Sequence, residues 1–467
     1  MKIASRESEA TSSRRSGSGS RSAKKPRAAF AAGLATNDDR LLYIAAVAFF
    51  AMVLLAPAMV VREMAIGDIS ASGEGSVVRQ IGYVLILLFS IFATWKQGPG
   101  LKALIMPWPL MLALGWCWIS LAWAINPGVA VRRLVLMTIV VWNTFIIMQA
   151  AGYDRTIKVL RFLFVAILIA GYITVAIAPS IGIHMMLDGD IQLTVVGNWR
   201  GLMGHKNIAG AACAITLMLF LYDTKQIKPV LRWAVLLAAA FFLYKAQSKT
   251  SFGMLLIALL CGWIFQRYDE RIRSFAIPMI MFLTAAGWFF YSTYQSFVFE
   301  NLLNPKFFTG RGFIWDAMIR YAGEHLLLGA GYGSFWDAGT DSPIYDYGQG
   351  FVKTAGSGHN GYLDLLVAVG VPGVLLAVFA AVVWPAWKLL ASRITPQRGA
   401  LAVALLVFCM GHNVTESSLL ERDTLVGVIM MVAVAIAQNW EQVGTASRKM
   451  SGADIFAALS QRRRELA

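Results

Sequence analysis

Between Leu41 and about residue 440 the chain is a succession of apolar runs, each close to the roughly 20 residues that an α-helix needs to cross about 30 Å of hydrocarbon. This narrows the possible folds sharply. In lipid every backbone N–H and C=O must be satisfied internally, so only helices or closed barrels can span, and runs of this length favour helices. They fall near 41–61, 77–95, 103–125, 134–151, 157–178, 207–222, 230–246, 250–266, 275–293, 361–388, 399–412 and 423–439, which predicts an all-α polytopic transmembrane helix bundle of about 12 spans. Composition agrees: 58% of residues are hydrophobic and 14% charged, against about 45–50% apolar and about 25% charged in soluble domains. No internal repeat is visible, which weakens a transporter built from inverted halves.

The net charge of +15 takes its meaning from where the basic residues lie. Residues 1–40 are rich in Ser, Arg and Lys and nearly free of large apolar residues, so they read as a disordered basic tail. A cleaved signal peptide fits badly, because the charged segment is too long and the apolar run after it is long enough to stay in the bilayer. With the N-terminus inside, most of the basic excess collects on the cytoplasmic side, in the tail, in short loops such as 267–274 and 388–398, and after Trp440. The domains expected are therefore a cytoplasmic tail (1–40), a transmembrane domain (41–440) and a cytoplasmic C-terminal tail (441–467), both termini being cytoplasmic. Two non-spanning segments, 179–206 and 294–360, face out, and the second is too long to be a mere connection.

Cys117, Cys213, Cys261 and Cys409 each sit in an apolar run without CxxC spacing and read as core residues. The five histidines show no paired ligand spacing, so neither a metal nor a cofactor is expected.

The informative cations are those left on the outer side against the orientation rule: Arg132, Arg133, Arg200, Lys206, Lys249, Arg311 and Arg422. As a set they suggest an anion-binding cavity at the outer membrane boundary, for which the pyrophosphate of a lipid-linked sugar is the natural ligand. In VVGNWRGLMGHKNIAGAA (195–212), Arg200, His205 and Lys206 precede a helix whose backbone N–H groups Asn207 can cap, a geometry that suits phosphate. The alternative is a tight glycine loop with an interfacial histidine. In AQSKTSFGML (246–255) the turn is so short that Lys249 is anchored at the bundle mouth, or else simply snorkels.

In residues 307–336 an amphipathic helix follows Gly310-Arg311-Gly312, with Phe313, Trp315, Met318, Ile319 and Leu326 expected on its apolar side. The GAGYG run at 329–333 would let the loop fold back as a lid, or the helix is an interfacial anchor. The strongest signal is TAGSGHNGYLDLLVAVGVPGVLLA (354–377). His359 lies at a helix start with Asn360 at the cap; the helix dipole disfavours imidazolium and leaves the ring a possible base, or a capping histidine. Asp364, one turn on, could orient it. Asp188-Gly189-Asp190 resembles a metal-binding DxD but faces out, where nucleotide sugars are scarce, and His412-Asn413 with Glu416 reads first as interface residues.

The runs Arg200-Gly-Leu-Met-Gly-His205-Lys206-Asn207, Ser248-Lys249-Thr250, Gly310-Arg311-Gly312 with Trp315 and Gly329-Ala-Gly-Tyr-Gly, and above all His359-Asn360-Gly-Tyr-Leu with Gly370-Val-Pro-Gly373, resemble the O-antigen ligase/polymerase superfamily. The likeness is greatest to exopolysaccharide repeat-unit polymerases of Gram-negative bacteria and extends over about residues 41–440. The resemblance implies a multi-pass inner-membrane glycosyltransferase of the C-type fold, working under a large periplasmic loop (294–360) on an undecaprenyl-pyrophosphate-linked oligosaccharide. Its expected chemistry is inverting and metal-independent, with His359 activating the acceptor and Arg200, Lys206, Lys249 and Arg311 on the pyrophosphate; His205, Asn207, Asn360 and Asp364 would support them. A position often occupied by arginine is Lys249 here, which keeps the charge and loses the bidentate fork. Besides the bilayer, a chain-length regulator and export proteins are partners in keeping with such an enzyme, and no nucleic acid is expected. Ligation of finished polymer to lipid A core, or a flippase for the same glycan, are the competing readings.

Overall fold

The computed structural model describes residues 37–65, 77–96, 103–185, 195–267, scattered positions from 269 to 279, and 311–337, 339–391 and 394–448. Residues 1–36 of the basic tail expected at 1–40, the 275–293 run apart from two isolated positions, the DxD at 188–190 and the end of the C-terminal tail lie outside the described residues, while residues 37–40, expected in the tail, begin the first helix. Among those described, structure is helical, and the one β-type pairing is an isolated bridge between Ile183 and Trp199.

The helices follow the apolar runs: α1 (Asn37–Ala65), α2 (Val77–Lys96), α3 (Trp108–Ile119), α4 (Pro127–Ile177), a short α5 (Pro179–Gly182), α6 (Lys206–Leu221), α7 (Pro229–Ala246) and α8 (Lys249–Arg267). Then come α9 (Arg311–Glu324), a short α10 (Ile344–Tyr347), α11 (Gly361–Val378), α12 (Trp384–Ala391), α13 (Pro396–His412) and α14 (Leu425–Arg448). Proline stands in the first turn of α3, α4, α7 and α13, where its missing N–H costs no helical bond. Helix α4 covers two of the expected spans, because Gly152 at φ 78° bends it between them. Six helices among the described residues are long and apolar enough to cross a membrane: α1, α2, α4, α7, α8 and the continuous Gly361–Ala391 segment. Shorter apolar helices lie at 108–123, 206–221 and 425–438.

Burial sorts these helices into inner and outer ones. Every residue from Leu425 to Ala437 of α14 is buried, as is every one from Ala209 to Phe220 of α6, the pattern of helices apolar on all sides. By contrast α2, α7 and α8 leave Leu85, Leu237, Tyr244 and Leu260 largely exposed, as faces turned to lipid would be. Without a hydrophobic driving force inside lipid, helix association relies on close packing of small residues. Gly262 of α8 shows it: a Cβ there would stand 3.0 Å from the Ala400 carbonyl of α13 and closer still to the Tyr222 ring. All four cysteines are buried and unpaired.

Residues 311–360 form a small second core of Ile314, Ala317, Met318, Tyr321, Ala322, Ala330, Phe335, Ile344 and Val352, joined to Val367 of α11. The buried face of α9 is thus not the expected one: Phe313, Ile319 and Leu326 are exposed, whereas Met318 is buried and Trp315 half-buried. The apolar residues of α9 surround the helix, so periodicity alone does not select a face.

The GAGYG run is also no loose hinge. Gly329, Gly331 and Gly333 all have positive φ, and a Cβ at Gly329 or Gly331 would clash with backbone of Val367 or Ala124. Arg133 locks the run further, donating to the carbonyls of Gly333, Trp336 and Asp337. The chain before it docks on a break in α11 at Gly370 (φ 66°), where the Val371 N–H bonds the Leu326 carbonyl and Ala330 N–H bonds that of Val367.

Candidate functional site

Four helices begin around one turn, residues 413–416, between α13 and α14. From α6, Asn207 donates through Nδ2 to Glu416 Oε1 at 2.6 Å. The first residue of α9, Arg311, reaches the same oxygen at 2.8 Å and also donates to the Thr415 carbonyl. At the start of α8, Thr250 bonds the Thr415 hydroxyl at 2.9 Å. The Gly361 N–H, first in α11, donates to the carbonyls of Asn413 and Glu416. Each helix N-terminus carries a partial positive charge of about half a unit, so this convergence favours anions.

Lys206 and Lys249 stand at the starts of α6 and α8. The turn between α7 and α8 is as tight as its sequence suggests, with Gln247 in the left-handed region (φ 51°). Ser248 and Ser251 bond each other and reach toward Asn207, and Gly210 lets the helices approach, since a Cβ there would meet Ser248 at 2.4 Å. The Lys206 ammonium is pushed below its ordinary value, first by burial and then by the like charges of Lys249 and Arg311. Lys206 thus lies within electrostatic reach of both Lys249 and Arg311.

His359 takes φ 49°, a conformation uncommon for a non-glycine residue, and lies between Gly358 and the α11 cap. Its side chain is 42% exposed, with Nδ1 at 3.4 Å from Glu416 Oε2. Among the described residues no hydrogen bond occupies Nε2. Asn360 is the N-cap as expected, its Oδ1 accepting from the N–H groups of Tyr362 and Leu363. Asp364 does not touch the imidazole; it accepts from Gly358 N–H, Trp336 Nε1 and the Ser417 hydroxyl. Its action on His359 runs through the backbone turn it holds, which Trp315 braces by donating to the Gly358 carbonyl.

Two expectations change. Asn207 is not the cap of α6: His205 is, through Nδ1 accepting from Asn207 N–H, while His184 Nε2 accepts from Lys206 N–H. Together with the His205 carbonyl, which takes Ile208 and Ala209, they satisfy the first four donors of α6. An anion here must therefore be held by side chains. Arg200 turns the other way, donating through Nε and Nη2 to the carbonyls of Ile181 and Ser180 in α5. Of the other cations expected on the outer side, Arg133 is a structural clamp, Arg422 pairs with Glu421 at 2.7 Å, and Arg132 lines a cleft with Gln80, Ile81 and Val135.

Glu416 is the residue that the sequence undervalued. Only 16% of its side chain is exposed. Burial would raise its carboxyl, yet the hydrogen bond from His359 and the charges of Arg311, His359 and His412 outweigh this and hold it at about 2. The signal available was a lone carboxylate just beyond a helix, beside His412-Asn413.

Residues 233–378 match the family model described as O-antigen ligase. That segment is similar to the ligase domain of the O-antigen ligase/polymerase superfamily. The matched segment runs from α7 to the end of α11 and holds Lys249, Arg311, His359, Asn360 and Asp364, whereas Arg200, Lys206 and Glu416 lie outside it. No curated protein matches the chain. The similarity over 233–378 and the six long apolar helices among the described residues together point to a multi-pass membrane protein.

Proposed function

We propose that the protein is a glycosyltransferase of the bacterial inner membrane that joins undecaprenyl-pyrophosphate-linked oligosaccharide repeats into exopolysaccharide or O-antigen on the periplasmic face. The observation that carries this reading is the convergence of Lys206, Lys249 and Arg311 with His359 around one turn at one end of the bundle. His359 Nε2 takes the proton from an acceptor hydroxyl, and that oxygen attacks the anomeric carbon opposite the pyrophosphate, so a single displacement inverts the centre. Lys206, Lys249 and Arg311 neutralise the charge growing on the departing pyrophosphate. Arg200, oriented to the α5 carbonyls, is assigned to the approach of the donor and not to the reacting phosphates. The chemistry needs neither metal nor cofactor, because pyrophosphate leaves as a stable anion.

About twelve spans with both termini cytoplasmic suit this reading, since they put the 311–360 segment on the periplasmic side, under which the donor arrives. The family description favours one variant, transfer of finished polymer to lipid A core, which differs only in acceptor.

Replacing His359 with alanine, with protein level checked, tests the proposal. Single repeats are expected to accumulate on the lipid carrier, open to periplasmic glycosidases, while long polymer disappears. Normal polymer would remove His359 as base; polymer that forms but stays off lipid A core would identify the ligase; repeats trapped on the cytoplasmic side would identify a flippase.

A further inference from the structure

Glu416 holds two of the residues assigned to opposite halves of the reaction. Its Oε1 is shared by Asn207 and Arg311 at 2.6 and 2.8 Å, whereas Oε2 makes only a long contact of 3.4 Å to His359 Nδ1. A carboxylate bound to Arg311 occupies the same guanidinium that a phosphate oxygen would take. It also faces the one ring nitrogen whose proton fixes the tautomer of the base.

We propose that Glu416 is a positioning residue that couples donor binding to the base: it pairs with Arg311 until a pyrophosphate displaces it, and then closes on His359 Nδ1–H, making Nε2 more basic. This rests on the reading of His359 as base. Nδ1 keeps its proton throughout and donates it to Glu416, while Nε2 receives the proton of the acceptor hydroxyl. The coupling suppresses attack by water, since His359 gains full basicity only when a donor is in place.

The surroundings suit a carboxylate that changes partner without leaving its seat. Glu416 is faced by Arg311 from α9, Asn207 from α6, His359 ahead of α11 and His412 from the end of α13. Its backbone is held by the Gly361 N–H, and Thr250 anchors the neighbouring Thr415, so movement falls to the side chain. Lys206 is within electrostatic reach of Lys249 and Arg311, and the lysines supply the other charges that draw the anion in.

The experiment uses the purified full chain with inorganic pyrophosphate as the probe, in wild type and Glu416→Gln. Calorimetry is expected to show pyrophosphate binding about tenfold tighter in Glu416→Gln, because Arg311 is released, and weaker in Arg311→Gln. The His359 imidazole, followed by histidine NMR, is expected to rise by about one pH unit when pyrophosphate is added to wild type and by clearly less in Glu416→Gln. In turnover, kcat falls at least about tenfold in Glu416→Gln while KM for the lipid-linked donor does not rise. Glu416→Asp, which keeps the charge on a shorter arm, is expected to restore part of both the titration response and kcat, and it stands in if the Gln variant fails to fold. Equal titration shifts in wild type and Glu416→Gln, or weaker pyrophosphate binding in the variant, overturn the coupling. If His359→Ala still polymerises, the base reading has failed; if it is dead while Glu416→Gln titrates like wild type, only the coupling has.

Discussion

The Arg311 guanidinium and the Glu416 carboxylate lie 2.8 Å apart, each with about one seventh of its side chain exposed, and they tie the start of α9 to the turn after α13. Breaking such a pair from one side leaves an uncompensated charge in a poorly solvated place. Arg311→Met is therefore expected to destabilise the fold by about 3 kcal/mol, and the double change Arg311→Met/Glu416→Gln to recover most of it. Thermal unfolding in detergent checks this; activity stays low in both, because the cation is gone.

The same pair sets an acid limit. Glu416 titrates at about 2 against an ordinary value of 4.5, so its folded-state pKa is depressed. The stability it contributes is present above about pH 4.5 and is lost as pH falls toward 2, at most about 3 kcal/mol in all. Between pH 5 and pH 3 the melting temperature of wild type is expected to drop further than that of Glu416→Gln.

Much of the bundle was legible because lipid leaves a spanning segment few choices, and an apolar run of the right length flanked by proline or glycine is almost forced to be a helix. His359 and Asn360 were legible for a local reason: cap and helix are neighbours in sequence. Glu416 was not, since its partners Asn207 and Arg311 lie 209 and 105 residues away and only the packing of α6, α9 and α13 unites them. His184 was hidden the same way, capping a helix 22 residues downstream. The buried face of α9 was misread because apolar residues on both sides of a helix give no periodic contrast.

The junction at Gly370 is expected to tolerate no side chain. Its φ of 66° already disfavours one, and a Cβ would stand 2.1 Å from the Leu327 carbonyl, a backbone atom that cannot swing aside. Gly370→Ala should cost more than about 2 kcal/mol, combining positive φ with the clash, and loosen the docking of Leu326–Ala330 on α11. Reduced melting temperature and new protease cleavage within 311–360 are the readouts.

The two imidazoles capping α6 both accept from backbone N–H groups, so each must be unprotonated at the nitrogen it uses. His205→Ala is expected to cost about 1 kcal/mol, whereas His205→Asn, whose oxygen can serve as N-cap, should cost less than half of that. Because Lys206 and Asn207 begin this helix, His205→Ala should also weaken pyrophosphate binding several-fold, measured by calorimetry at fixed salt.

His359 separates stability from chemistry. Its backbone sits at φ 49°, where asparagine is tolerated better than most residues and glycine is at no disadvantage. His359→Asn and His359→Gly are therefore expected to keep folding stability within about 1 kcal/mol of wild type or raise it, since strain at that position is relieved. Neither side chain can take a proton near neutral pH, so transfer is expected to fall at least about a hundredfold. Thermal unfolding and polymer assays on the same preparations test the pair of outcomes, and a variant that melts early would point to a histidine retained for the fold.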